Sequence, residues 1–306
     1  MNRRQMLEQE YHGRINNVIH YISEHLGDTL SLETLAKVAC FSQFHFHRLF
    51  TALMNETPNY FVNRLRLEKA ANMLLYTPSF SKTEIAMRCG FSSSANFSRS
   101  FKQQYGMSAS EWSKNCKTKS KKGKETSKRP SYLTTVKKHK KGTMTIFDPK
   151  KVEIKMLPIF HVAYVANLEG YVHEKIDAAW KKIMRWAGPR DLLNKETMYI
   201  GISFDNPEIT NAHKCRYYAC ITVPQSIAAQ KDIGVLDIPE GKHAVYRFTG
   251  RLEEIESTYL SLYSDWLQHS GYVPTDHPCF EIYSMTPNQN PKGNIVMEIC
   301  LPIQPL

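Results

Sequence analysis

Arg48 and Arg99 are the residues whose placement most constrains chemistry. Each lies late in a phrase that the chain contains twice: Ser31–Phe50 reads SLETLAKVACFSQFHFHRLF and Ser81–Phe101 reads SKTEIAMRCGFSSSANFSRSF. Leu35-Ala36 and Phe41-Ser42 return as Ile85-Ala86 and Phe91-Ser92 at a spacing of 50. Phe46, Arg48 and Phe50 return as Phe97, Arg99 and Phe101 at a spacing of 51, so the second copy has one more residue in its turn. A guanidinium fork matches the O6 and N7 acceptors of guanine. Gln43 and His47 can donate to base edges or phosphates, and Phe44 can pack on a thymine methyl. The second phrase offers Ser94, Ala95 and Asn96 ahead of Arg99, a shorter set that reads fewer bases. An ordinary helical bundle would explain the caps and the periodicity, but not a repeat with arginine at matching places.

The elements that must hold these residues follow from spacing. Ile15, Val18, Ile19, Ile22 and Leu26 make one face of a helix over Leu7–Leu26, ended by Gly27-Asp28. Ser31 caps Leu32–Ala39, and Ser42 caps Gln43–Met54 with Phe46, Leu49, Phe50 and Leu53 inward. Pro58 opens a long helix over Pro58–Leu75, roughly 27 Å at 1.5 Å per residue. That length can join two units about one DNA turn apart. Ser81-x-x-Glu84 is a capping box, Gly90 suits a left-handed turn, and Ser94–Tyr105 is the second reader helix. Two helix-turn-helix units in tandem suit successive major grooves on one face of double-stranded DNA.

Residues 15–114 resemble the DNA-binding domain of the AraC/XylS family of transcription regulators. The resemblance rests on Ile85-Ala86-x-x-x-Gly90-Phe91-Ser92 with Phe97-Ser98-Arg99-x-Phe101-Lys102, and on Leu65-Arg66-Leu67-x-x-Ala70 in the joining helix. It implies regulation of transcription, commonly activation, with RNA polymerase as a partner. Cys40 departs from the pattern, since the family places glycine in that first turn. A Cβ at a left-handed position costs about 1 kcal/mol.

The second half carries its own repeat. His161-Val162-Ala163-Tyr164 resembles His243-Ala244-Val245-Tyr246, and Gly170 and Trp186 lie 80 residues before Gly250 and Trp266. Each copy reads as strand, glycine-containing loop and helix, with helices over Val172–Trp186 and Leu252–His269. Further strands are expected at Val152–Met156, Met198–Phe204, Arg216–Val223, Phe280–Ser284 and Ile295–Leu301. The pattern predicts an α+β domain whose duplication leaves a cleft between its halves.

Residues 150–306 resemble the gyrase-inhibitor-like, Rob-type effector-binding domain. The best motif is Ser270-Gly271-Tyr272-x-Pro274-x-x-x-Pro278-Cys279-x-Glu281-Ile282-Tyr283. Ile200-Gly201-Ile202-Ser203-x-Asp205-x-Pro207, Cys215-Arg216-Tyr217 and Ala179-Trp180 support it. The resemblance implies that Glu281 points into an aromatic pocket and attracts a small cationic, lipophilic effector. Strand alternation is consistent with this, placing Glu281 with Tyr283 and opposite Phe280 and Ile282. Tyr164, Tyr171, Trp180 and Tyr283 are the candidate walls, adding cation–π attraction. Many relatives carry Asp where this chain has Tyr218, which points to a more aromatic, less acidic pocket.

The expected organisation is therefore a DNA-binding domain over residues 8–114, an all-α tandem helix-turn-helix. A basic linker follows over 115–149, then a duplicated α+β effector domain over 150–306. Charge agrees. Residues 1–114 hold 13 Lys and Arg against 9 Asp and Glu, 115–151 hold 13 against 2, and 152–306 hold 14 against 18. The net charge of +11 thus resides in the first half and the joint, where a polyanion would bind. Seven cysteines without a Cys-x-x-Cys pair fit free thiols in a reducing cytoplasm. Nothing calls for a metal or an organic cofactor, and no apolar run near 18 residues or signal peptide is seen. Two other readings stay open. One is a hydrolase using Glu281 as base or nucleophile beside the Tyr283 hydroxyl. The other is a protein-interaction module fused to a DNA-binding domain. No Ser-His-Asp or Cys-His pattern supports the enzymatic reading.

Overall fold

A computed structural model describes residues 3–77, 79–119, 147–285 and 294–306. The chain divides into two compact units. Of the basic linker expected over 115–149, residues 120–146 lie outside the described residues.

Among the described residues the first unit has seven helices: α1 (Arg3–Glu24), α2 (Leu32–Val38), α3 (Gln43–Met54), α4 (Pro58–Tyr76), α5 (Lys82–Arg88), α6 (Ser94–Tyr105) and α7 (Ala109–Lys119). Most starts are written in the sequence. The side chains of Ser31, Ser42 and Thr57 each accept from a backbone N–H three residues on, and Ser81 and Glu84 close the expected capping box. The extra residue of the second phrase is absorbed at Ser93, which caps α6 in place of Ser92. Helix α7 was not foreseen. It is opened by Ser108, whose Oγ accepts from Glu111 N at 3.2 Å, and it buries Trp112 against Phe101 and Tyr105. Its last turn occupies 115–119, where the linker was expected to begin. Leu53 was expected inward but is 36% exposed, because the core face of α3 narrows to Phe46 and Phe50.

Helix α4 is buried on nearly every side, with Phe61, Val62, Leu65, Leu67, Ala70, Ala71 and Leu74 in the core. It also buries an ion triad. Arg64 donates to Glu56 Oε1 at 2.7 Å and to Glu68 Oε1 at 3.1 Å, and all three side chains are sequestered. Removing one partner would strand a buried charge, at a cost of about 3–5 kcal/mol.

The second unit is a nine-stranded antiparallel sheet with helices. Its strands are β1 (Val152–Leu157), β2 (Phe160–Asn167), β3 (Tyr199–Ser203), β4 (Tyr217–Thr222), β5 (Gly234–Ile238), β6 (Gly241–Gly250), β7 (Tyr272–Pro274), β8 (Cys279–Met285) and β9 (Ile295–Pro305). The order is β1-β6-β9-β8-β3-β4-β2-β5, with β7 added beside β9. The repeat read from the sequence is visible here. β6, β9 and β8 mirror β2, β4 and β3, with β1 and β5 as matching edges, and the halves join between β8 and β3. Helix α8 (His173–Ala187) packs on β2 and β4. Its counterpart is helical over Leu252–His269 but irregular. A 3₁₀ turn leads into α9 (Ile255–Ser261), and a π turn and a second 3₁₀ turn follow it. Strands β5 and β7 had not been read from the sequence.

Candidate nucleic-acid interface and effector site

The two candidate reader helices, α3 and α6, are built alike. Burial of Phe46 and Phe50 in α3 leaves Gln43, Phe44 and Arg48 exposed and His47 half-buried. Phe44 is 73% exposed, and the Arg48 guanidinium lies 5.5 Å from its ring centre. This cation–π contact across one helical turn pre-orders a long side chain toward solvent. In α6, Phe97, Phe101 and Tyr105 are buried, and Ser94, Ala95, Asn96 and Arg99 are exposed.

The turns differ in strain. Cys40 adopts φ 54° and Gly90 φ 80°, so the departure from glycine in the first turn is borne as left-handed strain. Gly90 could not make the same exchange. A Cβ there would stand 2.6 Å from Leu26 O and 2.8 Å from the Arg66 guanidinium. Arg66 reaches out of α4 to donate to Leu26 O at 3.0 Å and Asp28 O at 2.6 Å. It thereby ties the entrance of the first helix-turn-helix to the turn of the second.

In the second unit, alternation along β8 places Glu281 and Tyr283 on the face that carries α8, and Phe280 and Ile282 on the other. Glu281 is 3% exposed. Its Oε1 accepts from Ser203 Oγ at 3.0 Å and from Tyr259 of α9. Its Oε2 is buried and accepts nothing from the described residues. Burial pushes the Glu281 carboxyl up to about 7, against the opposing donation of Tyr259 and Ser203. Buried Tyr217 and half-buried Trp180, Tyr283 and Tyr171 stand around it. Trp180 Nε1 donates to Tyr217 Oη at 3.1 Å, Tyr217 and Tyr283 share a hydrogen bond at 3.2 Å, and Trp180 meets Tyr283 edge-on at 5.6 Å. The Tyr171 hydroxyl donates to Asp205 O at 2.7 Å, while Asp205 is locked by Arg216 at 2.6 Å.

Two expectations are corrected. Tyr164 lies on the opposite face of the sheet from Glu281, since its neighbours Ala163 and Val165 are the ones turned toward α8. It stacks on Tyr218 at 4.5 Å, against Gly234, and lines no site with Glu281. Tyr218 therefore leaves the pocket's aromatic character untouched. Three side chains of the site were missed: Ser203, Tyr217 and Tyr259. The first two lie in motifs already visible, where strand register would have found them; Tyr259 sits on an irregular helix without a motif.

The carboxylate stands on the seam of the duplication. Glu281 pairs directly with Gly201, its equivalent 80 residues earlier. The pairing permits only one side chain, because a Cβ on Gly201 would lie 2.7 Å from Glu281 Oε2 and would collide with the Tyr217 hydroxyl. The duplicated fold thus holds a single acid where two equivalent strands meet.

A family model of the GyrI-like small molecule binding domain matches residues 150–304, and one of a helix-turn-helix domain matches 35–115. The chain belongs to the GyrI-like family, joined to an AraC-type helix-turn-helix domain. The probable transcriptional regulator LumQ of Photobacterium leiognathi is 38% identical over 97 residues, 31% of this chain and 39% of that protein. The transcriptional activator RhaS of Enterobacter sp. (strain 638) is 37% identical over 98 residues, 32% of this chain and 35% of that protein. This GyrI-like chain therefore covers well under two thirds of the curated relatives it matches. A solved DNA-binding domain of AdpA in complex with a target DNA is 30% identical, with a TM-score of 0.33, over 34% of this chain and 94% of that one. Among the described residues no helix is long and apolar enough to cross a membrane, and no group of three metal-ligating side chains is found.

Proposed function

We propose that the protein is a cytoplasmic, effector-responsive transcription regulator, most simply an activator that contacts RNA polymerase. One chain would read an asymmetric site, because it already carries two readers. The observation that carries this reading is the pair of reader faces, Gln43, Phe44, His47 and Arg48 on α3 and Ser94, Ala95, Asn96 and Arg99 on α6. All but the half-buried His47 stand exposed on two capped helices, in units joined by the buried helix α4. Footprinting of the full-length protein at physiological salt, against excess random DNA, tests it. Protection over about two helical turns on one face is expected. Salt-sensitive binding with no preferred sequence would overturn it.

Glu281 is the anchor we assign to the effector, with Tyr283, Trp180 and Tyr171 as aromatic surroundings. Its unpartnered oxygen supports a cationic group, which would supply the missing donor and the opposite charge. Binding fits the site better than catalysis. Burial raises the pKa of Tyr259, Tyr217 and Tyr283. A hydroxyl that resists ionisation is a poor nucleophile.

A further inference from the structure

The first unit contains a cleft of about 690 Å³ beside helix α6. It is bounded by the first turns of α4, by the residues that enter α2, and by the α5–α6 turn. Asn59, Tyr60, Asn63, Ser92 and Asn96 line it with neutral hydrogen-bonding groups, and its lining contains no acidic side chain. Arg66 lies among them, half-buried. Among the described residues it donates to the neutral carbonyls of Leu26 and Asp28. A positive charge held at low solvation, ringed by neutral donors and facing no acid, suits a polyanion.

The cleft shares Asn96 with the reader face of α6 and reaches the entrance of α2. In helix-turn-helix recognition the helix before the reader crosses the DNA backbone. We propose that the cleft seats the phosphodiester strand that runs between the two reader contacts, with Arg66 supplying the charge and Asn59, Tyr60 and Asn63 donating to phosphate oxygens. This rests on the DNA-binding reading above. It adds a contact that fixes the spacing of the two readers without reading sequence.

Asn59 is the probe, because it stands exposed in the first turn of α4, where an acid stabilises the helix. Asn59→Asp should therefore fold at least as well as the parent by thermal melting, and lost binding cannot be lost folding. The target is a duplex selected by the full-length protein from a random library. Asn59→Asp should weaken that complex about tenfold at 0.15 M salt with its base preference unchanged. Asn59→Lys should tighten it and steepen the dependence of log K on log salt by about one. Ethylation of phosphates midway between the two protected major grooves should block the parent protein. Charge-reversed variants that bind alike, or ethylation interference confined to the reader contacts, would overturn the cleft while leaving the two readers standing. Recovery of no preferred duplex by the parent would overturn the DNA reading and the cleft with it.

Discussion

At the scale of single residues, Arg48 and Glu281 make opposite demands on their surroundings. Arg48, the proposed base contact, is exposed and pre-ordered on Phe44. Arg48→Ala should cost about 1–3 kcal/mol on a specific duplex and relax preference at one base position; competition with point-substituted duplexes checks this, and equal loss on specific and random DNA would remove the role. Glu281, the proposed effector anchor, is buried. With its carboxyl held near 7 in the fold, against 4.5 when free, the native state keeps a proton that the unfolded chain releases. Below about pH 4.5 both states are protonated and nothing is lost. As pH rises to 7 the penalty grows, reaching about 3 kcal/mol above it. Glu281→Gln should therefore raise the unfolding midpoint at pH 8 and leave it nearly unchanged at pH 4.5. The same change should weaken a cationic ligand and spare a neutral one, while in the parent cation affinity should rise between pH 6 and 8.

At the scale of elements, the two helix-turn-helix units show how a repeat diverges under different constraints. Cys40 and Gly90 hold equivalent turn positions with positive φ, but only Gly90 is pressed by the Leu26 carbonyl and Arg66. Cys40→Gly should stabilise the first unit by up to about 1 kcal/mol, since it removes left-handed strain. Gly90→Ala should destabilise by about 1–3 kcal/mol, since strain and a backbone collision add. Chemical denaturation of both variants checks the pair, and equal effects would show that the Arg66 tether yields. Gly201 and Glu281 repeat the theme on the sheet, where two equivalent positions meet and leave room for one side chain.

At the scale of the whole molecule, charge is partitioned with structure. The joint over 115–151 carries 13 Lys and Arg against 2 acids, beside a second half with an acidic excess. Replacing 120–146 by a neutral segment of equal length should lower affinity for random DNA and flatten its salt dependence, with the footprint on a specific duplex unmoved. A footprint that shrinks would assign sequence reading to the joint. Regulation by effector requires that ligand and DNA change each other's affinity by one common factor; titrating DNA with and without a saturating cationic ligand measures it.

The sequence by itself determined the tandem helix-turn-helix units, because caps, turn glycine and core phenylalanines act locally and their spacing is dictated by the helix. It also determined that Glu281 and Tyr283 share one face of β8, opposite Phe280 and Ile282, because pleating alternates side chains without regard to the rest of the fold. Alternation is equally strict along β2, but it could not say which of its faces meets Glu281. That depends on how β2 joins β8 through β4 and β3, and the sheet order set Tyr164 on the far side. Only tertiary structure brought Ser203 and Tyr259 onto one carboxylate oxygen, left the other without a donor among the described residues, and stretched Arg66 across two helix-turn-helix units. Burial and long-range pairing decide those contacts, and neither is encoded in the spacing of neighbouring residues.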